Sequence, residues 1–170
     1  NLAVESGGSI TQSGSLAVGG ASSFTTSSTN ETITLSDASS TNAFTGAFTL
    51  SSTGANAHVT IDNGTTAIDI ASASVGGNLT LTSGAAAGIT DSGPVTVAGN
   101  LIAITDANNG VINLGGLDMS ATTSKIQLTT HNNGAATVVN TKHLHFISAD
   151  VGGNFSATAT DGTITQDNAF

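Results

Sequence analysis

Short stretches of strict apolar–polar alternation recur along the whole chain. Leu16-Ala17-Val18, Ile33-Thr34-Leu35, Phe48-Thr49-Leu50 and Val59-Thr60-Ile61 open the series. Ile68-Asp69-Ile70, Leu79-Thr80-Leu81, Val95-Thr96-Val97, Ile102-Ala103-Ile104, Ile126-Gln127-Leu128 and Leu144-His145-Phe146 continue it. A period of two puts one face in and one face out, which is a strand. Threonine on the outward face suits a pleated, half-wet surface. Turn formers separate the strands: Gly19-Gly20, Asn63-Gly64, Gly76-Gly77, Asn109-Gly110, Asn133-Gly134 and Gly152-Gly153. No stretch shows apolar spacing of three and four with caps, and Ala85-Ala86-Ala87 stops at Gly88. The pattern predicts an all-β chain with essentially no helix.

Many short, closely spaced strands fit a sandwich, a barrel or a solenoid, and internal repetition selects among them. One block reads Asn1-Leu2, Ile10-Thr11-Gln12-Ser13-Gly14, Leu16-x-Val18. A second reads Val75-Gly76-Gly77-Asn78-Leu79, Ile89-Thr90-Asp91-Ser92-Gly93, Val95-x-Val97. A third reads Val151-Gly152-Gly153-Asn154-Phe155, Ile164-Thr165-Gln166-Asp167-Asn168. Asn1, Asn78 and Asn154 are 77 and 76 residues apart. Divided into four, that period predicts a β-solenoid with about 19 residues per coil. Residues 1–170 then form a single segment of about nine coils, a rod about 40 Å long at a strand spacing of ~4.8 Å. Coils of this kind bury their apolar faces only by stacking. The chain opens at a block's Asn and stops at Phe170, close to where the next strand is expected. The expectation is a window of a longer array, or a subunit that docks end to end on its neighbours, since open ends leave strand edges unpaired.

Composition narrows the function classes. The 170 residues carry two Lys or Arg against eleven Asp or Glu, a formal net charge of −9. Both cations are lysines, Lys125 and Lys142. Such a chain cannot neutralise phosphates, which argues against nucleic-acid binding. It also lacks the basic face of a membrane-surface helix. Cysteine is absent, so no disulfide framework and no thiolate metal site is available. Leu101-Ile102-Ala103-Ile104 is among the longest apolar runs, far short of a membrane span. The opening Asn1-Leu2-Ala3-Val4 does not read as a signal peptide. A charged fraction of 8% and a hydrophobic fraction of 38%, arranged in alternation, argue against disorder.

The unit Val-Gly-Gly-Asn-Leu-Thr-Leu, then Ile-Thr-(Asp/Gln)-Ser-Gly, then (Leu/Val)-x-Val resembles the repeats of large bacterial filamentous-haemagglutinin-like exoproteins. The resemblance covers nearly the whole chain. It implies a right-handed parallel β-helix, export by two-partner secretion or a related route, and a role in surface attachment or biofilm. The Asn-Pro-Asn signatures of that family's secretion domain are absent, because the chain has one proline, Pro94. No functional residue of the family carries over, since its repeats act mostly as spacers.

Candidate chemistry is sparse. His143-Leu144-His145 puts two imidazoles on one strand face, a chelate geometry for Zn or Cu, but without a third ligand nearby. The plainer reading is a solvated face with Leu144 and Phe146 inward, and His58 and His131 read as surface or turn residues. Four Asn-x-Ser/Thr sequons fall at Asn30, Asn63, Asn78 and Asn154. Fifteen Asn with Ser plus Thr at 49 of 170 give about four by chance, so there is no enrichment. Asp62 with Asp69, or Asp91 with Asp106, would suit sugar chemistry if they converged across coils, and scattered Asp and Asn at turns are oxygen ligands of the Ca²⁺ type. Thr32/Thr34, Thr80/Thr82, Thr158/Thr160 and Thr163/Thr165 would suit ice if they formed one flat ladder. The six phenylalanines, Phe24, Phe44, Phe48, Phe146, Phe155 and Phe170, read as core-directed or terminal rather than as a sugar-stacking platform.

No catalytic, cofactor-binding or metal-binding residue is assigned on this reading. The expectation is a non-enzymatic structural β-solenoid of an extracellular bacterial filament or adhesin, a stiff spacer and display rod. Its expected partners are its own neighbours in the filament and host or matrix glycans, with no nucleic acid and no membrane span. The alternative is a carbohydrate-binding or carbohydrate-cleaving β-helix.

Overall fold

The computed structural model describes residues 1–36, 41–119 and 123–167. Asn168 and Phe170 lie outside the described residues. Within them the chain is all strand and turn, without helix. The strands in chain order are β1 Leu2–Ser6, β2 Ile10–Thr11, β3 Ala17–Val18, β4 Ser22–Thr29, β5 Ile33–Leu35, β6 Ala43–Phe44 and β7 Phe48–Thr53. Then come β8 Val59–Asp62, β9 Ile68–Val75, β10 Leu79–Ser83, β11 Ile89–Asp91, β12 Val95–Val97 and β13 Leu101–Asn108. The last are β14 Ile112–Asp118, β15 Ile126–His131, β16 Ala136–Asn140, β17 Leu144–Asp150, β18 Phe155–Ala159 and β19 Ile164–Gln166.

Every pairing is parallel, and each strand pairs with strands one turn away. One sheet runs β1-β4-β7-β9-β11-β14-β16-β18, with β12 sharing the rung of β11. A second runs β2-β5-β8-β10-β13-β15-β17-β19, and β3 pairs with β6 in a short third sheet. The result is a β-solenoid of about seven turns with roughly 22 residues per turn. At ~4.8 Å per turn its length is about 34 Å.

The expected coil of about 19 residues is therefore too short, and nine coils are too many. Asn1 and Asn154 both precede strands of the first sheet, seven turns apart, whereas Asn78 precedes β10 of the second sheet. The period of 77 residues thus spans three and a half turns, not four. The same Asn-Leu start serves either sheet, because both bury the same alternating face. Individual turns also vary, from 19 residues between Ala136 and Phe155 to 26 between Ile33 and Val59.

Register stacks the inward side chains into columns. In the second sheet Ile10, Ile33, Val59, Leu79, Leu101, Ile126 and Phe146 lie one above another. Beside them run Leu35, Ile61, Leu81, Ala103, Leu128 and Ala149. The first sheet contributes Val4, Phe24, Leu50, Ala73, Val95 and Leu117. These residues form one continuous core, with the half-buried Val4 and Ala149 packed against it. Each buried Val, Leu, Ile or Phe stabilises the fold by about 1.5–3 kcal/mol relative to its exposed state. The register also decides which residue of the alternating Ile102-Ala103-Ile104 is inward. Leu101 and Ala103 continue the columns of Leu79 and Leu81, so Ile102 and Ile104 face outward beside Thr80 and Thr82.

In β4, β7, β8, β10, β13, β15 and β16 the inward parity ends in a buried polar residue, and these residues make corners. Thr26 Oγ1 donates to the Glu31 carbonyl, Ser52 Oγ to that of Ala57, Thr105 Oγ1 to that of Gly110 and Thr130 Oγ1 to that of Gly134. Ser83 Oγ donates to Thr66 O one turn back. Each ties a strand end to a carbonyl at a bend, and the Ala57 and Gly134 carbonyls also accept the Gly77 and Gly153 N–H groups of the next turn. Backbone geometry is also fixed there: Gly88 has φ +65° and turns tightly enough that a Cβ would collide with Val111 O.

Candidate functional site

The groups with chemical potential are the asparagines, histidines and acids, and the fold uses about half of them between turns. Asn63 follows Val59 and Ile61 on the inward parity and is fully buried. Its Oδ1 accepts the Phe44 N–H at 2.8 Å, and its Nδ2 donates to Phe44 O at 2.9 Å and to Ala67 O at 2.7 Å. The third sheet stops at β6, so the Asn63 carboxamide stands where a backbone amide of the next rung would lie. Asn140 does the same for Met119, accepting its N–H at 2.9 Å and donating to its carbonyl and to His143 O. Asn42 accepts from Leu16 N and Gln12 Nε2, and its two Nδ2 hydrogens are shared among Gln12 Oε1, Leu35 O and Asp62 O. From sequence only Asn63 was singled out, as a turn former and a sequon, and the bonding role of all three was missed, although extending the alternation by one step places Asn63 and Asn140 inward.

A second set lies outside the core and points the other way along the rod. His58 Nδ1 accepts the Asn78 N–H, Asn78 Oδ1 accepts the Asn100 N–H, and Asn100 Oδ1 accepts the Lys125 N–H. Asn30 and Asn109, both in the left-handed region, accept from Asn56 N and Asn133 N. Asp91 closes a wider bend. Its two carboxylate oxygens accept the Gly115 and Gly116 N–H groups at 2.9 and 2.6 Å, beside the Ser92-Gly93-Pro94 interruption between β11 and β12.

The candidates from sequence separate accordingly. Asp62 lies on the second sheet and Asp69 on the first, and Asp91 and Asp106 are divided in the same way, so neither pair converges. Asp69 Oδ2 accepts from Ser92 Oγ, and its Oδ1 is buried without a hydrogen-bond partner. A hollow of about 400 Å³ is lined by Asp91, Ser92, Gly93, Asn113, Gly115 and Gly116. The carboxylate in it is already held by two backbone amides. His143 and His145 share the outer face, but His143 Nδ1 accepts the Thr163 N–H and His145 Nε2 meets Asp167 Oδ1 at 2.7 Å. Among the described residues no three His, Asp or Glu side chains are grouped to hold a metal ion. The Asn63 sequon is sealed in the core, Asn78 is half-buried, and Asn30 and Asn154 are exposed. Thr11, Thr34, Thr60 and Thr80 do form an outward column, which continues through Ile102 and Gln127 rather than threonine. Phe24, Phe44, Phe48 and Phe146 are buried, whereas Phe155 is 38% exposed and packs edge-on against Phe146.

One charged cluster ties three successive turns. Lys125 Nζ lies 2.7 Å from Asp167 Oδ2, and His145 bonds the other carboxylate oxygen. The Lys125 hydrogen bond first, and the His145 hydrogen bond second, hold the Asp167 carboxyl below the ordinary aspartate range. A depressed carboxylate contributes stability that is present above its unfolded-state pKa and lost as pH falls through the folded value. Carboxyl-carbon NMR titration is expected to place Asp167 below the ordinary aspartate value, and Lys125→Ala is expected to move it back upward. A titration unchanged by that substitution refutes the assignment.

Among the described residues no helix is long and apolar enough to cross a membrane. No curated protein and no solved structure matches the chain. Residues 1–51 match a family described as repeats of unknown function (DUF5649).

Proposed function

We propose that the chain is a structural β-solenoid segment of an extracellular bacterial filament or adhesin, a stiff spacer and display rod in surface attachment or biofilm. One observation carries this reading: most of the candidate chemical groups bond one turn to the next instead of facing a common groove. His58, Asn78, Asn100 and Lys125 form a continuous outer ladder, and Asn42, Asn63 and Asn140 an inner set. A rod bonded at every level resists bending, because strain at one turn is shared with its neighbours. The outer strand positions are largely Thr, Ser and Asn, which gives few ionic handles. The match of residues 1–51 to a repeat family fits such a part, as does the resemblance to filamentous-haemagglutinin-like exoproteins. On this reading the chain catalyses nothing, sits outside the cell, and meets neighbouring filament units and host or matrix glycans.

Antibodies raised against the chain are expected to label intact source cells, and external protease is expected to remove the label. Label that appears only after lysis refutes the location. Turnover of a polysaccharide by the purified chain, with a pH-dependent rate, refutes the structural role and favours the carbohydrate-cleaving alternative.

A further inference from the structure

We propose that His58 makes the step from β8 to β10 an acid-sensitive joint in the rod, closed while its imidazole is neutral and loosened when the ring takes up a proton. The inference goes beyond the structural reading and does not depend on where the chain resides. It starts from a position that recurs along the second sheet. Several residues that just precede its strands accept, through their side chains, the backbone N–H of the same position one turn on. Ser9 Oγ accepts from Thr32, His58 Nδ1 from Asn78, Asn78 Oδ1 from Asn100, Asn100 Oδ1 from Lys125 and His143 Nδ1 from Thr163, all at 2.9–3.0 Å. The hydroxyl and the two carboxamides keep their lone pairs whatever the pH near neutrality. An imidazole nitrogen does not. Nδ1 accepts only in the neutral ring that carries its hydrogen on Nε2, and protonation replaces that lone pair by a second N–H.

The surroundings of His58 offer the charged ring no substitute. The ring is tucked under the backbone of the next turn: a Cβ on Gly77 would lie 2.6 Å from its Nδ1, as one on Gly99 would lie 2.5 Å from Asn78 Oδ1 in the following joint. A proton on Nδ1 would point at the Asn78 N–H, so the ring has to swing away and the bond is lost. On the turn below, Glu31 flanks Thr32, but its carboxylate accepts Ser9 Oγ at 2.6 Å, one turn further down. On the same strand Asp62 lies four residues along, and its Oδ1 accepts the Gly64 N–H. On the turn above, residues 76–83 hold no titratable side chain. Among the described residues no carboxylate forms an ion pair with His58. His143 differs, because Thr163 Oγ1 also lies 3.0 Å from its Nδ1 and can accept from the protonated ring. The contribution of the His58 bond is therefore present while the ring is neutral and lost as pH falls through the imidazole range. That range lies above the one in which the Asp167 contribution is lost.

The test follows amide hydrogen exchange in the 170-residue chain between about pH 7.5 and pH 5, corrected for the intrinsic rate at each pH. Protection of the Asn78 amide is expected to fall about tenfold on acidification, the loss of one hydrogen bond. The Asn100 and Lys125 amides, held by carboxamides in the next two joints, are expected to change little. His58→Asn installs the acceptor that positions 78 and 100 already use, and is expected to keep Asn78 protected at both pH values. His58→Ala is expected to leave it unprotected at both. The comparison of Asn78 with Asn100 within the parent chain stands even where a variant does not fold. Constant protection of Asn78 in the parent overturns the proposal. So does an equal fall at Asn78, Asn100 and Lys125, which is the result general acid loosening gives, and so does a pH dependence that survives in folded His58→Asn. None of these results touches the structural reading, which fails on cell labelling or on turnover.

Discussion

Replacing Asn63 with leucine is expected to lower the stability of the folded chain by roughly 3 kcal/mol or more. Leucine shares the branching and heavy-atom count of asparagine but can neither donate nor accept, so lost hydrogen bonds dominate the cost. It comes from the Phe44 N–H, the Phe44 carbonyl and the Ala67 carbonyl, which all bond to this side chain at 2.7–2.9 Å. Each buried polar group left without a partner costs about 1–3 kcal/mol. Water cannot easily replace the carboxamide, because Asn63 is fully buried. Asn63→Asp separates the contributions: a carboxylate still accepts the Phe44 N–H, but it loses both donated bonds and adds a buried charge. It is expected to be no better than leucine. Urea unfolding measures the cost, and amide exchange at Phe44 locates it. Thr60→Ala, on the outward face of the same turn, is expected to change stability by less than about 0.5 kcal/mol. Equal effects at Asn63 and Thr60 refute the role given to the corner asparagine.

The fold was legible because its principal rule is local. Alternation in Val59-Thr60-Ile61 and Leu79-Thr80-Leu81 states which side chains are inward, and the strands follow. Extending the same parity by one step already places Asn63 after Ile61, Ser83 after Leu81 and Asn140 after Val138 in the interior. What one strand cannot state is its partner. Ile102-Ala103-Ile104 alternates as well as its neighbours, yet only the register against Leu79 and Leu81 shows that Ala103 is the buried member. The coil length failed for a related reason. A motif that starts a strand in either sheet gives a period ambiguous by half a turn, and Asn78 stands on the opposite sheet from Asn1 and Asn154. The candidate chemistry was least legible. Whether two acids converge depends on which sheet each strand joins, and that is settled by loops of variable length. Asp62 and Asp69 are seven residues apart and end on different sheets. His58 reads as a surface residue until the next turn brings the Asn78 N–H to its ring.

Phe44→Ala is expected to cost about 3–5 kcal/mol and to show how far stability spreads along the rod. Phe44 is fully buried in the third sheet, where β6 pairs with β3. Its ring meets Phe24 edge-on at 5.9 Å and Phe48 tilted at 5.1 Å, so one side chain joins two consecutive rungs of the first sheet. Truncation removes both aromatic contacts and leaves a void. The turns around it cannot close that void freely, because their backbones are fixed at ladder spacing from above and below. In a solenoid each turn contacts chiefly its neighbours, so the loss is expected to remain near its source. Hydrogen exchange is expected to rise most in β4, β6 and β7 and to change little in β15 and β16, several turns away. Local loss of this kind makes unfolding depart from a single two-state transition. If protection instead falls equally from β4 to β16, the seven turns unfold as one unit, and coupling through the continuous core outweighs nearest-neighbour packing.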